Sequence, residues 1–167
     1  FNYKFRDISL LEHALVHKSA AGSESFKSNE RLEFLGDAVL QLAVSTHLFS
    51  KYDKMPEGKM AKLRASLVCQ TTLAKMATDL RLGECIKLGK GEMLSEGMQK
   101  PSILSDALEA VLGAIYMDGG YEMAQNAVLR LFKPIVDLHL GGMLDGDYKT
   151  KLQEILQKHG NVNIKYI

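Results

Sequence analysis

Cysteine is scarce in this 167-residue chain. Cys69 and Cys85 are the whole complement, with neither a Cys-x-x-Cys pair nor a Cys/His ligand spacing. That pattern argues against a cysteine-built zinc centre and a disulfide framework, and predicts two buried or half-buried free thiols in a reducing compartment, the cytoplasm. Long hydrophobic runs are missing as well: no stretch approaches the ~20 apolar residues that cross a bilayer, so no membrane partner is expected. No charged segment leads into an apolar core, so no secretory signal is visible, and a start at Phe1 rather than Met suggests that residues precede it. Charge of one sign is lacking too. With 21 Lys+Arg against 20 Asp+Glu the net charge is +1, which does not advertise nucleic acid but is compatible with an acidic site and a basic surface that cancel. There is no internal repeat and no low-complexity tract. What remains, 46% hydrophobic and 25% charged residues, is the composition of a globular protein, of a length for one ordinary domain with a small appendage.

Helical periodicity dominates what is there. "DISLLEHALVHKS" offers Asp7 or Ser9 as caps ahead of Leu10, Leu11, Ala14 and Leu15. "AAGSESFKS" reads as a loop, and a long helix is predicted from about Asn29 to Ser50, broken by "KYDKMPEG". "GKMAKLRASLVCQTTLAKMATDL" resumes helical spacing without a visible interruption, and the glycine-rich "RLGECIKLGKGEMLSEGMQKP" reads as connection. "SILSDALEAVLGAIYMD" is another helix, stopped by Gly119 and Gly120, and "YEMAQNAVLRLFKPIVDLHL" gives either two sets of helical turns or one helix kinked near Pro134. The body, residues 1–138, is therefore expected to be all-α. Residues 139–147, with three glycines and little to bury, read as a linker. Residues 148–167 read as a helix followed by a strand, "NVNIKYI", the beginning of a second, α/β domain.

The segment "NERLEFLGDAVLQLAV" (29–44) carries the chemistry. On a helix Glu33 and Asp37 lie about 40° apart, and Glu30 falls close beside them. A solvated face would continue polar, whereas this one continues with Leu40 and Val44, so the acids sit at one end of a helix that is apolar nearly all round. Asp106 and Glu109 repeat the device at i, i+3 in "ILSDALEAVLGAIYM". Gly36, Ala110 and Gly113 lie beside the acids, small enough to let two helices approach and the four carboxylates meet. Two unit charges ~6 Å apart repel by roughly 3 kcal/mol at an effective dielectric of ~20. Six such pairs would rival the ~5–15 kcal/mol that stabilises a whole domain. Either some acids are protonated, or basic side chains neutralise them, or a divalent cation binds. An all-oxygen set with no Glu-x-x-His suits magnesium or manganese, the kind of site that activates water for phosphodiester attack. The competing reading is an acid-rich helix start that complements the macrodipole and pairs with Lys27, Arg31 or Lys100. Spacing alone leaves both readings open.

"NERLEFLGDAVL" resembles the signature of the ribonuclease III family, with "HKS" (17–19) ahead of it and "EGKMAKLRASLV", "LRLGECIKLGKGE" and "KPSILSDALEAVLGAIYMDGG" following in the family's order. The tail "DYKTKLQEILQK" resembles the first helix of a double-stranded RNA-binding domain, which the chain only begins. The resemblance implies the all-α nuclease-domain fold and a divalent-metal endoribonuclease that cuts double-stranded RNA, leaving 5′-phosphate and 3′-hydroxyl ends with short 3′ overhangs. It implies a homodimer with the RNA lying in the valley between subunits. Glu33, Asp37, Asp106 and Glu109 match the family's catalytic carboxylates. By that carry-over Glu33, Asp106 and Glu109 hold magnesium (or manganese), Asp37 counts with them as a residue of the metal site, and Asp37 and Glu109 are the most tied to chemistry, orienting metal-bound water. Glu30 falls near the scissile region, Phe34 matches the aromatic that plugs into the partner subunit, and Gln153 and Glu154 match minor-groove contacts. Ser105 departs from the family's usual Ala before the second-helix Asp, a small change in size.

Lys54, Lys59, Lys62 and Arg64 crowd a helix start, and Lys87 and Lys90 flank a glycine-rich turn; they are candidate phosphate contacts or ordinary solvated surface. "GKGE" (89–92) has Gly91 where a phosphate-binding loop needs Ser/Thr and no preceding strand, so no nucleotide cofactor is expected. The five histidines show no metal spacing and read as structural, and Met76 and Met117 read as core filler. Three other functions stand against an RNA-cutting enzyme: an RNA-gripping module that does not cut, a single-substrate relative without an RNA-binding domain, and a helical redox or metal-storage protein. The intact acids, the tail and the missing histidine ligands argue against them in turn.

Overall fold

The computed structural model describes residues 1–22 and 24–158, with the backbone alone at 25, 134 and 136–158. The chain divides into two compact units, Phe1–Phe132 and Lys133–Ile167. The first is built of helices: α1 (Ile8–Ala14), α2 (Lys18–Ala21), α3 (Glu30–Lys51), α4 (Glu57–Leu67), α5 (Gln70–Asp79) and α6 (Lys90–Leu94). Helical backbone is then assigned over Pro101–Lys158, interrupted at Gly120, whose φ of 79° and ψ of −178° are open to glycine. We call the part before the break, 101–119, α7, and the turns after it within the first unit, 121–132, α8. Short 3₁₀ turns at Ser25–Lys27, Leu82–Cys85 and Gly97–Gln99 fill the connections. Among the described residues there is no strand, so the all-α expectation holds for the body.

α7 is the central rod. Its residues Leu108, Ala110, Val111, Leu112, Ala114 and Ile115 are all essentially inaccessible to solvent, as a helix apolar on every side must be. α3 buries Leu32, Val39, Leu40, Ala43, Val44 and Leu48. Each fully buried Leu or Phe contributes roughly 1.5–3 kcal/mol of transfer free energy. α4 packs on α3. The amino-terminal segment is clasped to the end of α7: the Asp118 carboxylate accepts from Tyr3 Oη at 2.6 Å and from the backbone N–H of Arg6 and Asp7 at 2.8 and 2.9 Å. Asp7 then caps α1, accepting from Ser9 N at 2.9 Å.

Several details differ from the sequence reading. The helix expected to run unbroken through 58–80 is two helices, because Cys69 is extended (φ −74°, ψ 152°). The carbonyl of Ser66 accepts instead from Thr72 Oγ1 (2.9 Å) and Cys69 Sγ (3.3 Å), a local side-chain capture that hydrophobic periodicity does not register. The stop expected at Gly119 and Gly120 is the break at Gly120. Of the two readings for the segment beyond it, helical turns are left, because non-helical backbone is absent at Pro134. Met76 is buried and Cys69 half-buried as expected, but Met117 is exposed because it lies past the fully buried stretch of α7, near the helix end, and Cys85 is exposed in the 3₁₀ turn that carries it. In the second unit, described by itself, the backbone is helical over 133–158, a span that includes the residues 139–147 read as a linker. The predicted strand at 161–167 lies outside the described residues.

Candidate active site

Two glycines set the geometry. A Cβ on Gly36 of α3 would lie 1.8 Å from the Glu109 carbonyl oxygen, and one on Gly113 of α7 would lie 2.2 Å from the Leu32 carbonyl oxygen. The two helices therefore cross backbone to backbone, as the small residues beside the acids predicted. The crossing carries Glu33 from one helix and Asp106 and Glu109 from the other to a common point, with one carboxylate oxygen of each within 4.8 Å of the other two.

All three acids are half-buried, and their acidities register the crowding. Burial first, then the charges of Asp37, Asp106 and Glu33, pushes the Glu109 carboxyl up to about 8. Glu33 is raised by burial and then by Asp106 and Glu30. Asp106 is raised chiefly by burial, partly opposed by a hydrogen bond from Ser105 Oγ at 3.2 Å. The neighbouring cations offset the crowding only in part: the charge of Lys18 lowers both Glu33 and Asp106, yet both stay raised. Lys27 pairs with Glu24 and Lys100 with Glu92. Half-buried carboxylates, compensated only in part and with only oxygen donors, fit a hard divalent cation, and the mutual spacing is within small side-chain adjustment of a six-coordinate ion.

The other predicted residues scatter around this point. Asp37, one turn beyond Glu33, is exposed and outside the trio, accepting from Gln41 Nε2 at 3.3 Å, yet it is the leading charge acting on Glu109. Glu30 is exposed at the start of α3; it accepts from Ser28 Oγ at 3.0 Å and faces Lys18 Nζ at 3.7 Å. Phe34 is 81% exposed, an apolar ring standing in solvent beside the acids. Lys59 and Lys62 are exposed on α4, whereas Arg64 is half-buried and donates from Nη1 to Ser45 Oγ at 2.9 Å, so it serves helix packing. The side chains of Gln153 and Glu154 lie outside the described residues. Sequence reasoning passed over His17 and Lys18 as participants. His17 is buried, caps α2 through Nδ1, and has its pKa lowered mainly by burial. Their signal was the "HKS" triplet, which carries no chemistry by spacing.

The arrangement defines a class: an all-helical protein in which acids from two crossing helices converge on a site suited to a divalent cation. Comparison with known proteins narrows it. The Ribonuclease-III-like family description matches residues 7–135. A Ribonuclease 3 of Pelotomaculum thermopropionicum is 46% identical over 166 residues, 98% of this chain and 69% of that protein. One from Caldanaerobacter subterraneus is 48% identical over 158 residues, 93% of this chain and 69% of the relative. Among solved structures, the nuclease domain of ribonuclease III from Campylobacter jejuni, described for flexibility in its dimer-forming region, matches with a TM-score of 0.75. It is 51% identical, with 79% of this chain and 90% of that one covered. This chain belongs to the ribonuclease III family.

Proposed function

We propose that the chain is a magnesium-dependent endoribonuclease that hydrolyses double-stranded RNA as a homodimer, leaving 5′-phosphate and 3′-hydroxyl ends with short 3′ overhangs. The family makes it a ribonuclease and hence a hydrolase. The observation that carries the rest is the convergence of Glu33, Asp106 and Glu109 on one point, with the carboxyl pKa of all three raised by burial and neighbouring acid charge. These three would hold the ion, and Mn²⁺ has the same donor preference. A divalent cation supplies the charge that allows the three carboxylates to be ionised together and a Lewis acid for phosphate oxygen. Asp37, solvent-facing beside Glu109, is the acid available to orient the attacking water and accept its proton at a carboxylate oxygen. Attack at phosphorus with loss of the O3′ leaving group yields the proposed ends.

The homodimer reading is supported by Phe34, whose exposed ring needs a partner surface, and by the dimer-forming region of the Campylobacter jejuni domain. Glu30, Lys59 and Lys62 are exposed where an RNA strand can meet them, while Arg64 acts through its packing on Ser45. Gln153 and Glu154 belong to this proposal through the likeness of the tail to an RNA-binding domain, with 139–147 as its linker. Cytoplasmic location rests on the family and on the free thiols of Cys69 and Cys85; no helix among the described residues is long and apolar enough to cross a membrane. The test is a gel assay of long double-stranded RNA at low salt. Short duplex products with Mg²⁺ and intact RNA with Ca²⁺ support the proposal; intact RNA with both refutes it.

A further inference from the structure

Beyond the carboxylates, the cutting site needs something that tolerates a polyanion. Glu30, Glu33, Asp37, Asp106 and Glu109 together present five acids, and a single divalent cation leaves that face negative. One ammonium is placed to offset it. Lys18 opens α2, and the segment carrying it is stitched down on both sides. Lys87 N donates to Leu15 O at 2.7 Å and His17 N donates to Lys87 O at 3.1 Å, while Gly89 N donates to Ser19 Oγ at 2.9 Å. On the other side Asn29 N, at the start of α3, donates to Val16 O at 2.8 Å. Lys18 is thereby held opposite the first turn of α3. Its side chain is 66% exposed, and its Nζ lies 3.7 Å from Glu30 Oε1, a looser approach than the ~2.8 Å of a charge-assisted hydrogen bond. Its charge also acts on both Glu33 and Asp106, one from each helix of the trio. The nearby Lys100 is engaged by Glu92 and by Ser95 Oγ, and Lys27 by Glu24.

We propose that Lys18 is a substrate-binding residue of the cutting site, whose ammonium exchanges Glu30 for a non-bridging oxygen of an RNA phosphate neighbouring the scissile one. Glu30 then acts as a parking partner that holds the ammonium over the site when RNA is absent. This inference rests on the proposed endoribonuclease activity. A surface lysine that merely screens the acids would behave differently: its removal would tighten metal binding and leave the salt dependence of catalysis unaltered.

The experiment measures cleavage of a short RNA duplex with Mg²⁺ at several KCl concentrations, for the unmodified chain, Lys18→Met and Lys18→Arg, with Mn²⁺ affinity measured alongside. The expected result for Lys18→Met is a KM about tenfold higher with kcat within about twofold. The slope of log(kcat/KM) against log[KCl] becomes shallower by about 0.9, the signature of one lost phosphate contact on a duplex. Mn²⁺ affinity stays within about threefold, and Lys18→Arg recovers most of the lost KM. An unmodified slope in Lys18→Met, beside an unmodified chain that cuts normally, overturns the Lys18 inference alone. An unmodified chain that neither binds nor cuts the duplex brings down the endoribonuclease reading and this inference with it.

Discussion

Replacing Gly36 with alanine tests the crossing on which the whole site depends. The new Cβ would start 1.8 Å from the Glu109 carbonyl oxygen and 2.5 Å from its carbon, where ordinary contact begins at 3.4 Å. Both neighbours are backbone, so no side chain can swing away, and α3 and α7 must separate by roughly 1.5 Å to relieve the overlap. Overpacking of this kind costs about 1–3 kcal/mol or more, set against the ~1 kcal/mol that alanine gains over glycine inside a helix. A net loss of up to about 2 kcal/mol lowers Tm by up to roughly 8 °C for a domain of this size. The consequence for function is larger. Carboxylate oxygens that share a magnesium ion at about 2.1 Å each can be no more than ~4.2 Å apart. The trio now spans up to 4.8 Å, within reach of small rotations, whereas a further ~1.5 Å puts Glu33 out of reach of an ion held by α7. Metal affinity should fall by about 10–100-fold, the range seen when groups that position ligands are lost. The assay is calorimetric Mn²⁺ titration beside thermal melting, with Gly58→Ala as control. Position 58 lies in α4 and its Cβ would meet nothing within 4 Å, so that variant should be neutral or slightly stabilised. A Gly36→Ala protein that matches the unmodified chain in both Tm and metal affinity would refute the backbone-to-backbone crossing.

Three further outcomes are expected. Glu109 titrates near 8 in the folded, metal-free chain against an ordinary 4.5, so its contribution to stability is complete below about pH 4.5 and is lost as pH rises through 8. Urea melts in chelator should therefore show stability falling between pH 5 and 8, with the fall reduced in Glu109→Gln and by excess Mg²⁺; parallel pH profiles for the two proteins would contradict this. Phe34→Glu should convert the dimer to monomer in light scattering, since each buried ring would contribute roughly 1.5–3 kcal/mol to association, and an unchanged mass would show that the ring is not in the interface. Asp118→Ala removes the acceptor of the Arg6 and Asp7 amides, whose hydrogen exchange should then accelerate while amides in the middle of α7 stay protected; equal protection in both proteins would show the clasp to be idle.

Much of this was legible in the residues. Asn29–Ser50 was read as one helix and the structure gives Glu30–Lys51, because the apolar pattern, the acidic first turn and the "KYDKMPEG" break all agree. The meeting of acids from two helices was legible through their small neighbours, since Gly36 and Gly113 have no use in a helix interior other than close approach. The separation of Asp37 from the other three was not. Spacing along α3 places Glu33 and Asp37 on one side, but which turn is covered depends on where α7 crosses, and no local signal contains that. The break at Cys69 escaped for a similar reason: it is made by Thr72 and Cys69 side chains reaching back to Ser66 O, beneath an apolar rhythm that continues undisturbed. The placement of Lys18 was not legible, because the segment that carries it is pinned by contacts with residues 87–89, far off in sequence.

The most direct test of the account is a calorimetric titration of Mn²⁺ into the unmodified chain and into Glu109→Gln at neutral pH. Glu109 carries its proton at that pH in the absence of metal, so binding to the unmodified chain should release close to one proton, visible as a dependence of the heat on buffer ionisation. In Glu109→Gln, affinity should drop by at least about 100-fold and the proton release should vanish. Equal affinity in the two proteins, with no proton released by either, would mean that Glu33, Asp106 and Glu109 do not form the metal centre.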